Sequence, residues 1–265
     1  MALAQHLSYT VRHQQQVDNA REYLLPFIHQ AIELNAGHTV MEIGCGEGGV
    51  LIPFMEQGMA VVGVDLNEHR IKQAIALNQA QVKSGQATFL YQNVYEESFR
   101  VAHQGAYDLI LLKDTIEHIP DQEKFIPYIR QFLKPGGKLF FGFPPWRMPF
   151  GGHQQICRSR ILSVLPWYHL LPRPVYKAIL KAAGEPQLVV DELMDIQSTQ
   201  ISINRFERII RENQLQVLAK TLFLFNPIYR YKFGWKPRVQ AKWLASLPWV
   251  RDFFTTAGWY VVGES

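Results

Sequence analysis

The chain has 265 residues, 48% hydrophobic and 19% charged, which is the balance of a globular protein and excludes a disordered one. No apolar run is long enough to cross a bilayer. The polar stretch Met1–Val17 has no secretory h-region, and Cys45 and Cys157 fit reduced thiols, so a cytoplasmic protein is expected. Charge is uneven: residues 1–150 hold 12 Lys/Arg and 15 Asp/Glu, whereas residues 151–265 hold 15 and 8, so the second part can face something anionic.

In chain order, Gln15–Leu34 has apolar residues at helical spacing with Pro26 as a break. Thr39–Ile43 reads as a strand, Gly49–Gln57 as a helix and Ala60–Asp65 as a second buried strand. Asn67 is placed to cap a helix over Glu68–Ser84. Ala87–Gln92 and Tyr107–Leu112 are a third and fourth strand, and Asp121 is placed to cap a helix running to Leu133 despite Pro127. Lys134-Pro135-Gly136-Gly137 signals a turn before a fifth strand, Lys138–Phe143.

The alternation breaks at Pro144. Residues 144–200 are rich in Pro, Trp, His and Arg, with helical stretches expected near Ser159–Leu170 and Pro174–Ala183. A helix over Ile203–Asn213 and strands over Leu215–Phe225 and Gly258–Gly263 follow. Such alternation predicts an α/β fold: a Rossmann-like, doubly wound, mostly parallel seven-stranded sheet with an antiparallel last strand and a helical cap insertion. The expected division is an N-terminal helical segment (1–38) covering the site, a nucleoside-binding domain (39–143 and 201–265) and an inserted cap (144–200).

Glu42-Ile43-Gly44-Cys45-Gly46-Glu47-Gly48-Gly49 follows a strand and opens a helix. Glycines there allow a tight turn and close approach of backbone to ligand. Asp65 ends the next strand, where a carboxylate can accept both ribose hydroxyls. Gly44, Gly46 and Gly49 also satisfy G-x-G-x-x-G, so an NAD-dependent oxidoreductase stays open at this point.

Val40–Gly48 resembles motif I of class I S-adenosylmethionine (SAM)-dependent methyltransferases. Leu109–Leu112 with Asp114 and Glu117–Asp121 resembles that family's fourth-strand region, and Leu133–Leu139 resembles the turn before its fifth strand. These elements occur in the family's order over roughly residues 40–145, and the nearest flavour is the group with ubiquinone- and menaquinone-biosynthesis methyltransferases. The resemblance implies SAM as cofactor and S-adenosylhomocysteine as product. It implies that Glu42, Gly44, Cys45, Gly46 and Gly48 line the methionine portion, that Asp65 binds ribose with Leu66 beside adenine, and that Asn93 and Val94 match the adenine-binding segment. Asn93 stands where many members have Asp.

Methyl transfer is an in-line displacement in which positioning dominates, and a base is needed only where the acceptor arrives protonated. Candidate bases are Asp114, His118 and His153. Asp114 lies just past the fourth strand, and His118 shares its face if the segment is helical. Phe150-Gly151-Gly152-His153-Gln154 reads as a substrate loop or a hinge. The histidines are scattered and no carboxylates cluster at ligand spacing, so no metal set is expected.

Leu162–Leu171 and Val175–Leu180 interleave apolar, aromatic and basic residues, as a lid over an apolar pocket or a peripheral membrane contact would. Tyr229–Lys236 alternates aromatic and basic at strand period, which puts the two kinds on opposite faces and argues against nucleic acid. The reading is methylation of a small or lipid-like acceptor, at oxygen; the alternatives are the oxidoreductase and a non-catalytic SAM-fold protein at a membrane surface. Oligomeric state is not assigned.

Overall fold

The computed structural model describes residues 8–264; the first seven residues of the N-terminal segment and Ser265 lie outside it. The strands are β1 (Thr39–Ile43), β2 (Ala60–Asp65), β3 (Ala87–Tyr91), β4 (Tyr107–Lys113), β5 (Leu133–Phe143), β6 (Gln216–Phe225), β7 (Arg238–Val239) and β8 (Ala257–Gly263). They form one sheet in the order β3-β2-β1-β4-β5-β8-β6-β7. The first five run parallel, and β8 enters antiparallel between β5 and β6. The sheet therefore has the expected doubly wound form, with one strand more than the seven expected: two residues, Arg238 and Val239, pair at the outer edge of β6.

Period-two alternation builds a core on each face. From β4, Ile110 and Leu112 enter one cluster with Met41, Phe141 and Phe206, while Leu109 and Leu111 enter the other with Val40, Phe54 and Trp259. Chain order reverses between β1 and β4, so the cleft outside their carboxyl ends is where such a sheet holds ligands.

Several elements depart from the sequence expectation. The first helical stretch comprises Tyr9–Asn19, a π turn at Ala20–Leu24 and Leu25–Ile28; the π turn lies just ahead of Pro26, whose ring cannot supply an N–H. Asn67 caps as expected, accepting from Arg70 N (3.1 Å), but its helix stops at Leu77 and a separate one covers Gln79–Lys83. Asp121 does not cap: its backbone is left-handed (φ 50°) and its side chain bonds no helix N–H. Lys134–Gly137 loops out within β5, since Tyr107 pairs Leu133 but Leu109 pairs Lys138. Ser159–Leu170 is turns ending in one short 3₁₀ element at Tyr168–Leu170, and the inserted segment's helices are Arg173–Ala182 and Gln187–Thr199. Tyr229–Lys236 is no strand: Ile228–Phe233 is a helix, tied to the N-terminal helix by Gln15 Nε2 donating to Tyr231 O (3.2 Å) and Tyr231 Oη donating to Asp18 O (3.2 Å).

The inserted segment has its own small core of Cys157, Leu162, Tyr168, Tyr176, Leu180, Val190, Leu193 and Met194. His169, 0% exposed, joins it to the end of β5: its Nε2 donates to Trp146 O (2.8 Å) and its Nδ1 accepts from Gln154 Nε2 (3.3 Å). Burial lowers the His169 pKa to about 4, against the Trp146 carbonyl's opposing pull. The unfolded chain takes up this proton near 6.5 and the folded one only near 4, so the imidazole's contribution is complete above 6.5 and lost as pH falls through that window. The loss amounts to about 3 kcal/mol. Denaturant melts from pH 7 to 4.5 are expected to show that decline in the wild type and a shallower one in His169→Gln.

Candidate active site

The glycine loop leaves β1 at the switch point. Gly44, Gly46 and Gly48 all have positive φ (77°, 53° and 76°), open to glycine at little cost. A Cβ on Gly44 would lie 2.4 Å from Thr115 Oγ1, and one on Gly49 would lie 2.6 Å from the His13 carbonyl of the N-terminal helix. The loop is thus pinched between the β4 exit and that helix. Gly44 N and Cys45 N donate to Val64 O (2.8 and 3.2 Å), and Asp65 Oδ2 accepts from Gly46 N (2.9 Å) while its Oδ1 accepts from Asn67 N (2.8 Å). Asp65 braces the loop from the end of β2.

Glu42 is fully buried beside this loop, and its Oε2 has no hydrogen-bond partner. Burial raises its pKa well above the carboxylate range, with Lys113 opposing. Glu47 is buried too, ion-paired with Arg12 of the N-terminal helix and 3.9 Å from Arg70 Nε. A carboxylate with an orphan oxygen beside a glycine cradle fits a ligand carrying both a nucleoside and an ammonium group, as SAM does.

The other sequence candidates are placed unevenly. The Cys45 thiol is buried under Gly63, where a Cβ would meet Sγ at 2.7 Å, so only its backbone faces the loop. Leu66 is 67% exposed at the β2 exit. Asn93 closes a turn, its Oδ1 accepting from Tyr95 N (3.0 Å). Val94 is buried in the core, and its carbonyl accepts from Tyr128 Oη (2.8 Å).

Asp114 and His118 do not share an α-helical face. Asp114 is left-handed (φ 53°), and His118 ends a 3₁₀ turn, Ile116–His118. Topology nonetheless brings His118 against His153, which follows β5, with ring centroids 4.9 Å apart at 71°. The Asp114 carboxylate pairs with the Lys113 ammonium, and its charge is felt by both imidazoles. Burial lowers both histidines, His153 to about 4.

Three further groups were not assigned to the site from the sequence. Glu117 is buried at the same point, and one ligand atom from each of Glu117, His118 and His153 lies within 4.8 Å of the others. The histidines expected to be scattered are in this case gathered, because the ends of β4 and β5 are neighbours. Tyr229 and Lys232, on the helix misread as a strand, also feel Asp114: burial pushes Tyr229 up to about 12 and lowers Lys232. Lys232 therefore belongs to a partly enclosed side of that helix near Asp114, as Tyr229 does, and not to a face opposite the aromatics.

Against known proteins, the family described as a methyltransferase domain matches residues 12–175. The chain is 32% identical to the ubiquinone biosynthesis O-methyltransferase of Leptothrix cholodnii over 117 residues, 44% of this chain and 48% of that protein. It is 32% identical to the one from Sodalis glossinidius over 128 residues, 46% and 49%. The match thus spans about half the length of these curated relatives. A geranyl diphosphate C-methyltransferase from Streptomyces coelicolor, solved with Mg2+, geranyl diphosphate and S-adenosyl-L-homocysteine, superposes with a TM-score of 0.56 over 91% of this chain and 79% of that one. At 13% identity that likeness speaks for the fold. The G-x-G-x-x-G spacing by itself left NAD and SAM both open; the family match covers the glycine loop, Asp65 and the β4–β5 region together, and the chain belongs to the class I SAM-dependent methyltransferases.

Proposed function

We propose that the chain methylates an oxygen of a small or lipid-like acceptor. The observation carrying this reading is the convergence of Asp114, His118 and His153 at the carboxyl edge of β4 and β5, beside the glycine loop. Bound SAM supplies a methyl group already activated by its sulfonium. Asp65 holds the ribose hydroxyls, and the orphan Glu42 Oε2 accepts from the amino group. Backbone at Gly44, Cys45, Gly46, Gly48 and Val94 lines the cofactor, with Leu66 and Asn93 on the adenine side. Asp114 or His118 takes the proton of an acceptor hydroxyl. The named O-methyltransferase relatives support oxygen as the acceptor atom.

Residues 8–38 then cover the cofactor from above Gly49, and 144–200 act as the lid over the acceptor. Among the described residues no helix is long and apolar enough to cross a membrane. The lid does expose Ile161, Val164, Leu165 and Trp167 between Arg158, Arg160 and Arg173, a surface suited to peripheral contact with anionic lipid.

The test is incubation with SAM and a panel of catechols, polyprenyl catechols and primary amines, read by product mass. Methylated hydroxyls are expected; methylation confined to the amines, or none at all, overturns the reading. With an accepted catechol, His118→Ala and Asp114→Asn are each expected to lower kcat by about 10²- to 10⁴-fold, the usual worth of a positioned base. S-adenosylhomocysteine affinity should stay near wild type in both.

A further inference from the structure

We infer that Lys232, on the helix Ile228–Phe233, selects the acceptor: its ammonium holds the reacting oxygen as an anion, which favours hydroxyls acidic enough to ionise. The inference rests on the oxygen-transfer reading above and names the residue that makes that oxygen reactive.

The placement of Lys232 follows from how its helix docks. Arg230 pairs with Glu22 of the N-terminal helical stretch, and Tyr231 Oη donates to Glu22 Oε2 (2.6 Å) and to Asp18 O (3.2 Å). Positions 230 and 231 are thereby spent on that contact. Positions three apart share a helix side, so Tyr229 and Lys232 turn together the other way. The rings of Phe233 and Trp235 pack on Tyr229, with centroids 5.4 and 6.2 Å away, and fix that turn. The side they share looks toward the carboxyl ends of β4 and β5: the Asp114 charge acts on both, and the Lys232 charge acts on His153. The methyltransferase-domain match ends at residue 175, so this helix lies outside the segment shared with the family.

The other cations at this edge are committed to carboxylates. Lys113 pairs with Asp114, and Arg12 pairs with Glu47, with Arg70 Nε 3.9 Å from the same carboxylate. Lys232 has neither an ion pair nor a side-chain hydrogen bond among the described residues. Enclosing an ammonium without a partner is costly: burial lowers its pKa, with Asp114 opposing and Lys113 and Arg12 adding to the effect. Its neighbours do not supply the missing anion. Tyr229, pushed up to about 12, and His153, lowered to about 4, are neutral near neutral pH, and Asp114 is already paired. The anion that satisfies Lys232 therefore comes from the ligand, and each charge then favours the other.

The division of labour is simple. The acceptor oxygen loses its proton to Asp114 or His118 and gains the methyl group, whose bond to sulfur breaks with the electron pair left on sulfur. Lys232 keeps its protons throughout and offsets the charge on the oxygen before transfer. The cofactor's own carboxylate has the same chemistry as an acceptor oxyanion, and S-adenosylhomocysteine affinity tells the two sources apart.

The experiment binds 4-nitrocatechol to the S-adenosylhomocysteine complex and follows its ionisation by absorption against pH. In wild type the bound dye is expected to ionise at lower pH than the free dye. In Lys232→Met it should ionise about 1–3 pH units higher than in wild type, the usual effect of an opposite charge nearby. Lys232→Arg should restore most of the difference, and Lys236→Met, an exposed lysine on the same segment, should behave as wild type. With an accepted catechol the acid limb of kcat should move up in Lys232→Met in the same sense, since kcat reports groups in the bound complex. S-adenosylhomocysteine affinity should stay within about threefold of wild type in every variant, and thermal unfolding confirms that each is folded. An unchanged ionisation in Lys232→Met, no binding of the dye to the complex, or a tenfold or greater loss of S-adenosylhomocysteine affinity overturns the assignment. Hydroxyl methylation that persists through any of these keeps the oxygen-transfer reading, and its absence from every acceptor sinks that reading instead.

Discussion

Asp65→Ala is expected to weaken S-adenosylhomocysteine binding by about two orders of magnitude. Hydrogen bonds to a charged acceptor are worth about 1.5–3 kcal/mol each, and in the proposed binding mode two ribose hydroxyls address this carboxylate. Water entering the gap recovers part of that sum, so a net loss of about 3 kcal/mol is a fair expectation, and each 1.4 kcal/mol is about tenfold in affinity. A second effect acts in the same direction. Asp65 Oδ2 accepts the Gly46 N–H and Oδ1 accepts the Asn67 N–H, so the truncation also frees the glycine loop proposed to line the cofactor. Asp65→Asn separates the two contributions: one carboxamide oxygen can keep a loop bond while the charge and one acceptor are lost, so its affinity should fall between the two. Calorimetry at one salt concentration checks this, with thermal unfolding alongside. An Asp65→Ala protein that is folded and binds within about threefold of wild type would remove Asp65 from the cofactor site.

The strands that frame this site were legible because they are buried on both faces. Thr39–Ile43 and Ala60–Asp65 agree with the sequence reading residue for residue, since a Val/Ile-rich run between turn residues has little else to become. The glycine loop was legible because its backbone needs positive φ, which constrains residue type directly. What lay beyond sequence was decided by distant partners. Tyr229–Lys236 alternates at period two, yet Tyr231 Oη bonds Asp18 O and Glu22 Oε2 (2.6 Å) of the N-terminal helix, and those contacts favour a helical turn. Ser159–Leu170 is apolar enough for a helix, but Glu185 accepts from Arg158 N (2.9 Å) and Ser159 N (2.8 Å), which fixes a turn there instead. The meeting of His118 and His153 depends on which strand neighbours β4, and nothing local to either histidine encodes that.

Phe206→Ala is expected to cost about 3–5 kcal/mol of stability, the range for truncating a buried phenylalanine. Phe206 lies on the helix Ile203–Glu212, whose start is capped by Ser202 accepting from Arg205 N (3.1 Å) and whose buried face is Ile203, Phe206, Ile209 and Ile210. Its ring centroid is 5.0 Å from those of Phe141 and Phe143 and 4.8 Å from Tyr260, so it closes β5 and β8 from one side. Those aromatic neighbours cannot collapse into the gap, because Phe141 is paired with Tyr260 in the sheet itself. The same helix carries Arg205, which binds both Glu123 oxygens (2.9 and 2.8 Å) and holds that carboxyl down at about 2. Domains of this kind have only about 5–15 kcal/mol in total, so denaturant melts should show a much lower midpoint with little change in slope. Ile203→Val on the same face should cost about 0.5–1.5 kcal/mol. Where Phe206→Ala remains folded, S-adenosylhomocysteine affinity should match wild type, because Phe206 touches neither the glycine loop nor Asp65. Methyl transfer should be more sensitive than cofactor binding. The end of β5 sets where Pro144 and then His153 leave the sheet, so loosening Phe143 moves the acceptor side of the cleft while β1 and β2, with the cofactor loop between them, stay in place. A stability loss under about 1 kcal/mol would mean that the helix is held by its ion pairs instead of by this ring.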